Sequence, residues 1–239
     1  MMPLPKPPVP TYELELPSTG KTIKYRPFLV KEEKILLVAM ESQDEKEIRD
    51  AVTNIVKDCI VTRGIKIDDL ATFDIEYLFL NIRGKSVGEE IKMKITCSDD
   101  NETVVDYVLN VNDVQVQKDK NHNTKIMLDD ETGLVMKYPG MEQFIKSQIM
   151  MKDLSAEEVF DIIIDSVHQI ISGEEVYETK TSSKKEVEEW IGGLTSKQFE
   201  KVRYFFETMP KLSHTFKITN PKTEVESEYT IEGLVNFFA

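Results

Sequence analysis

Cysteine is scarce in this sequence, with only Cys59 and Cys97 among 239 residues. Two thiols cannot build a disulfide framework, and with no CxxC pair they form no zinc site by spacing. A reducing compartment is the simplest expectation. Histidine is limited to His122, His168 and His214, and tryptophan to Trp190. Long apolar runs are missing too, none approaching the roughly 20 residues that cross a bilayer. The longest, Ile35–Met40, and the shorter Ile162–Ile164 are expected in short buried helices. The proline-rich start lacks the apolar core of a secretory signal. Positive charge is also in deficit. Residues 1–150 hold 26 acidic and 20 basic side chains, and residues 151–239 hold 17 and 10, for a net charge of −13. With no basic stripe, binding to nucleic acid or to an anionic membrane is not expected.

What is present is an ordinary globular mixture, 40% apolar and 31% charged, which argues against disorder over the whole length. Pro3, Pro5, Pro7, Pro8 and Pro10 favour an extended arm over residues 1–10. Tyr12–Leu16 and Ile23–Phe28 alternate around Pro17-Ser18-Thr19-Gly20, predicting a hairpin. A helix is expected from Lys31 to about Ser42. Then Ile48, Ala51, Val52, Ile55, Val56, Cys59 and Ile60 give the cleanest amphipathic spacing in the chain. Cys59 lies on that apolar face and reads as a core residue. Asp68 or Asp69 can cap a third helix running to about Arg83, where Gly84 and Gly88 follow. Strands are expected around Ile91–Ile95 and within Thr103–Val116.

Residues 117–140 read as a polar linker. A helix capped by Ser155 and Glu158 is expected to reach Gly173. Two more capping boxes, Ser183 with Glu186 and Thr195 with Gln198, open helices bearing Trp190 and Phe205. A hairpin follows around Asn220-Pro221-Lys222-Thr223. The expected architecture is α+β in two linked lobes, residues 11–116 and 141–239, each with amphipathic helices on a small antiparallel hairpin or sheet. The order of elements is alike in the two halves. Apolar helix faces are assigned to the core, so none of them identifies an interface.

Motifs of catalysis are mostly absent. Gly20-Lys21-Thr22 and Gly84-Lys85-Ser86 end like phosphate loops, but Glu15 and Phe79 occupy the position of the required first glycine. Neither a G-x-G-x-x-G nor a G-x-S-x-G pattern occurs. Asp161, Asp165 and His168 fall at i, i+4 and i+7, a spacing that could hold a metal with further ligands. A solvated helix face explains them more simply. No enzymatic activity and no cofactor are therefore expected. The partner-binding candidates are the ends: Pro3, Pro5, Pro7 and Pro8 in the arm, and Phe237 and Phe238 as terminal aromatic anchors.

Several stretches resemble a known phage family. They are Tyr25-Arg26-Pro27-Phe28-Leu29-Val30-Lys31-Glu32-Glu33-Lys34, Asp74-Ile75-Glu76-Tyr77-Leu78-Phe79 with Ile82–Gly88, Leu134–Pro139, and Glu232–Phe238. Together they look like the baseplate hub subunit or hub assembly protein of T-even-type contractile-tailed bacteriophages. The resemblance implies a protein that acts through contacts with other baseplate hub or tail proteins. It implies a place in the host cytoplasm during assembly and, for a structural subunit, in the virion. A transient tail-assembly chaperone, absent from the finished particle, fits the same texture. Relatives with paired cysteines suggest zinc. Here Cys97 stands alone with Asp100 where a second cysteine would fall, so no metal is carried over.

Overall fold

A computed structural model describes residues 7–140 and 156–233. Among them are six α-helices and eleven strands in small antiparallel sheets, an α+β fold as the sequence predicts. Contacts divide the chain into two compact units. One comprises the chain through Gln117 and again from Lys211, and the other is Lys118–Pro210.

The first unit opens with the hairpin β1 (Tyr12–Glu15) and β2 (Thr22–Tyr25), paired from Tyr12↔Tyr25 to Glu15↔Thr22. Alternation buries Ile23 and Tyr25 while Thr22 and Lys24 stay exposed. Helices α1 (Val30–Ser42) and α2 (Glu45–Cys59) follow. Asp44 caps α2 by accepting from the Lys46 and Glu47 N–H groups at 2.8 and 3.0 Å. The α2 face predicted from periodicity is the buried one: Ala51, Val52, Ile55, Val56 and Cys59 are all in the core.

Helix α3 (Thr72–Val87) departs from expectation at both ends. Ile67–Asp69 forms only a short 3-10 turn, and the chain extends through Leu70 and Ala71 before α3 begins. Asp74 is buried in the first turn and accepts from the Ser18 N–H at 3.0 Å and from the Ser18 hydroxyl, tying α3 to the first hairpin. Gly84 does not end the helix. A β-carbon there would meet Val111 Cγ1 at 3.4 Å, an ordinary contact, and Gly88 at φ +114° is the actual stop.

Beyond it, β3 (Glu90–Thr96) pairs with β4 (Val104–Asn110). The final hairpin, β10 (Lys211–Thr219) with β11 (Glu226–Glu232), pairs with β5 (Gln115–Gln117) of this first unit rather than joining a C-terminal lobe. Its inward residues Leu212, Phe216, Ile218 and Ile231 share a core with Leu80, Ile91, Met93 and Leu109. That burial outweighs sequence proximity, and the similar order of elements in the two halves does not produce two like lobes.

The second unit contains the four-stranded sheet β6 (Lys125–Met127), β7 (Thr132–Met136), β8 (Val167–Ser172) and β9 (Glu175–Glu178), in that order. Two of these strands lie in residues 117–140, the stretch expected to be a linker. Helices α4 (Ala156–Ser166), α5 (Lys184–Gly192) and α6 (Ser196–Glu207) pack with the sheet around Leu134, Ile163, Val187, Ile191, Val202 and Phe205. The helix predicted to reach Gly173 stops at Ser166. Val167, Ile170 and Ile171 are β-branched, and pairing with β7 and β9 claims them for β8. Of the three predicted capping boxes, Ser183–Glu186 and Thr195–Gln198 are formed, and Ser155 of the third lies outside the described residues.

Candidate interaction surfaces

The sequence-derived candidates fare unevenly. Pro7 and Pro8 are exposed, while Pro3, Pro5, Phe237 and Phe238 lie outside the described residues. The spacing of Asp161, Asp165 and His168 does not survive folding, because His168 is in β8 rather than on α4. The Lys184 ammonium stands 2.9 Å from Asp161 and 3.5 Å from Asp165, where a metal would have had to sit. No group of three or more His, Cys, Asp or Glu among the described residues could hold a metal ion.

Other polar clusters are accounted for by structure. Asp100 accepts from the Thr103 hydroxyl and from the Thr103 and Glu102 N–H groups at 2.9 and 3.0 Å, and these bonds, the hydroxyl's first, hold its carboxyl far below the usual range. Asp99 accepts from Asn220 and Thr223, joining the β3–β4 turn to the β10–β11 turn. Burial pushes the Cys59 thiol up to about 11, with Arg26 pulling the other way, so it is no nucleophile.

One feature that the described residues leave uncovered is apolar. Helix α1 carries Val30 at 81% exposure, Val38 at 57%, Leu37 at 55% and Ile35 at 51%. Only Glu32, Leu36 and Ala39 are buried, a single stripe at i, i+4 and i+7. The run Ile35–Met40 was expected in a buried helix, and its burial is one-sided instead. Helix α3 provides a comparison within the same unit. It too is apolar around most of its circumference, but there Phe73, Ile75, Leu78, Phe79, Leu80 and Ile82 are all covered. A helix that is apolar on all sides normally has neighbours on all sides. For α1 the described residues supply them on one side only. Complete burial of an aliphatic side chain is worth about 1.5–3 kcal/mol, so the exposed parts of these four residues leave about 4–7 kcal/mol of transfer free energy for a partner.

The helix is pinned by an ion pair. Glu32 is 1% exposed and accepts from Arg26 Nη2 at 3.0 Å and from the Leu29 N–H at 2.6 Å. Arg26 Nη1 donates to the Pro27 carbonyl at 2.9 Å. Burial opposes the charge on Glu32, but the bonds from Arg26 and Leu29, with Lys31 beside it, hold the carboxyl below its ordinary value. The first turn of α1 is therefore fixed against the end of β2, and the outer face is presented on a rigid element.

This face was not found from periodicity, since Ile35–Met40 shows no helical period. The unbroken run itself was the available sign. Smaller exposed apolar sites occur at Val104 and Val108 on β4 and at Val176 and Tyr177 on β9. No helix among the described residues is long and apolar enough to cross a membrane.

A family model described as T4 bacteriophage base plate protein matches residues 9–239. Comparison with curated proteins and with solved structures finds no match in either.

Proposed function

We infer function from one premise: the chain belongs to the T4 bacteriophage base plate protein family. On that premise it has a structural or assembly role in a phage tail baseplate, in contact with other baseplate proteins. The specific reading is a subunit of the baseplate hub that acts by binding and performs no chemistry. The observation that carries it is the outer face of α1, an apolar surface held rigidly and left uncovered by the described residues.

Quantitative mass spectrometry of purified particles tests the reading. A fixed copy number per particle, lost when Leu37 and Val38 are both replaced by glutamate, supports a structural subunit docked through α1. Absence from particles, with abundance in the infected-cell lysate, would identify a transient chaperone or assembly factor instead. Normal incorporation of the double variant would remove α1 from the contact.

A further inference from the structure

The outer face of α1 is complementary to itself. Its two exposed stripes are Val30-Lys34-Leu37-Glu41 and Lys31-Ile35-Val38-Ser42, both spaced i, i+4, i+7 and i+11. Aliphatic side chains occupy the middle, Lys31 and Lys34 the N-terminal half, and Glu41 the C-terminal end. The Lys31 ammonium is 3.1 Å from Glu32 of its own helix. Lys34 and Glu41 form no ion pair among the described residues.

Consider a second α1 laid antiparallel across the first, with a twofold axis midway between positions 37 and 38. Lys34 then lies opposite Glu41 of the other copy, and the symmetry repeats the pair on the other side. Leu37 faces Val38 and Val38 faces Leu37. Seven residues at 1.5 Å rise separate the charges by about 10.5 Å, so one register forms both ion pairs and the apolar contact between them. Parallel pairing would instead set Lys34 on Lys34 and Glu41 on Glu41. The helix dipoles also favour the antiparallel arrangement.

We propose that α1 pairs antiparallel with α1 of a second copy of this chain, forming a twofold dimer centred on Leu37 and Val38. This rests on the reading that the α1 face carries the protein's contacts. A pair of 13-residue helices gives an interface at the small end of specific ones, so the dimer is concentration-dependent.

Sedimentation velocity on the full chain, from micromolar to near-millimolar concentration, measures the association. Lys34→Glu and Glu41→Lys each place like charges together and should raise the dissociation constant about tenfold or more. The double variant K34E/E41K restores both pairs with reversed sign and should return the constant to near its original value. Leu37→Glu should leave only monomer, and circular dichroism reports whether each variant keeps the native helix content. A monomer at every concentration, or a double variant as weak as the singles, overturns the proposal. Incorporation of Leu37→Glu into particles separates the two readings. If the wild-type chain is monomeric yet the variant is lost from particles, the face binds another protein. If the wild-type chain dimerises and the variant is incorporated normally, self-pairing stands and docking into the baseplate through α1 fails.

Discussion

Replacing Glu32 by alanine should destabilise the first unit more than any exposed substitution on α1. The carboxylate is 1% exposed, and its removal leaves the Arg26 guanidinium, 17% exposed, without its ion-pair partner. The Leu29 N–H loses its acceptor at the same time. Removing one member of a fully buried pair costs about 3–5 kcal/mol. Arg26 retains some access to water, which brings the expected cost to about 2–3 kcal/mol. For a chain of this length that corresponds to a fall of roughly 4–12 °C in the melting temperature. Glu32→Gln keeps an acceptor for Leu29 and should lose less.

Circular dichroism follows the melt, and hydrogen exchange should show the earliest loss of protection in α1 and β2. The sign with pH is also fixed. The folded carboxyl titrates below its ordinary value of 4.5, so its contribution is complete above that value and vanishes as pH falls through the folded one. The gap between wild type and variant should therefore narrow in acid. A shift below about 2 °C at neutral pH, or a gap that widens in acid, would refute the assignment of Glu32 as the anchor of α1.

Gly133→Ala should destabilise the second unit by about 1–3 kcal/mol, read as a lower urea midpoint of Trp190 fluorescence. Its β-carbon would lie 2.9 Å from the Ile126 carbonyl oxygen and 2.8 Å from Met127 Sδ, and the backbone contact cannot relax cheaply. An unchanged midpoint would contradict the β6–β7 register. His122 is buried, with Nδ1 3.0 Å from the Thr208 hydroxyl and Nε2 3.0 Å from the Tyr138 hydroxyl. Burial first, and Lys118 second, push its pKa below the ordinary 6.5. The unfolded chain thus binds the proton more readily, and stability should rise with pH between the folded value and 6.5; His122→Gln should flatten that slope in the same assay. Cys59 and Cys97 are buried and both titrate above the ordinary thiol value. A thiol reagent should find neither reactive in the native protein and both reactive in denaturant, and rapid native labelling would place them outside the core.

Local patterns explain what was readable in advance. The amphipathic spacing of α2, the capping boxes at Ser183 and Thr195 and the hairpins at Pro17–Gly20 and Asn220–Thr223 all depend on residues a few positions apart. Such patterns report the period of an element and where it begins. They do not report what covers it. The helix-to-strand change at Ser166–Val167 was missed because Val167, Ile170 and Ile171 suit either state until β7 and β9 are beside them.

The sequence by itself determined the α+β class, the acidic surface, most element positions and the core role of Cys59. Tertiary structure alone decided which unit receives the last hairpin, since β10 pairs with β5 across some 95 intervening positions. It also decided which apolar helix is enclosed. Helices α1 and α3 both carry unbroken apolar runs, and the described residues cover α3 on most sides and α1 on one. Burial depends on neighbours distant in the chain, and no local pattern records whether those neighbours come from the same molecule.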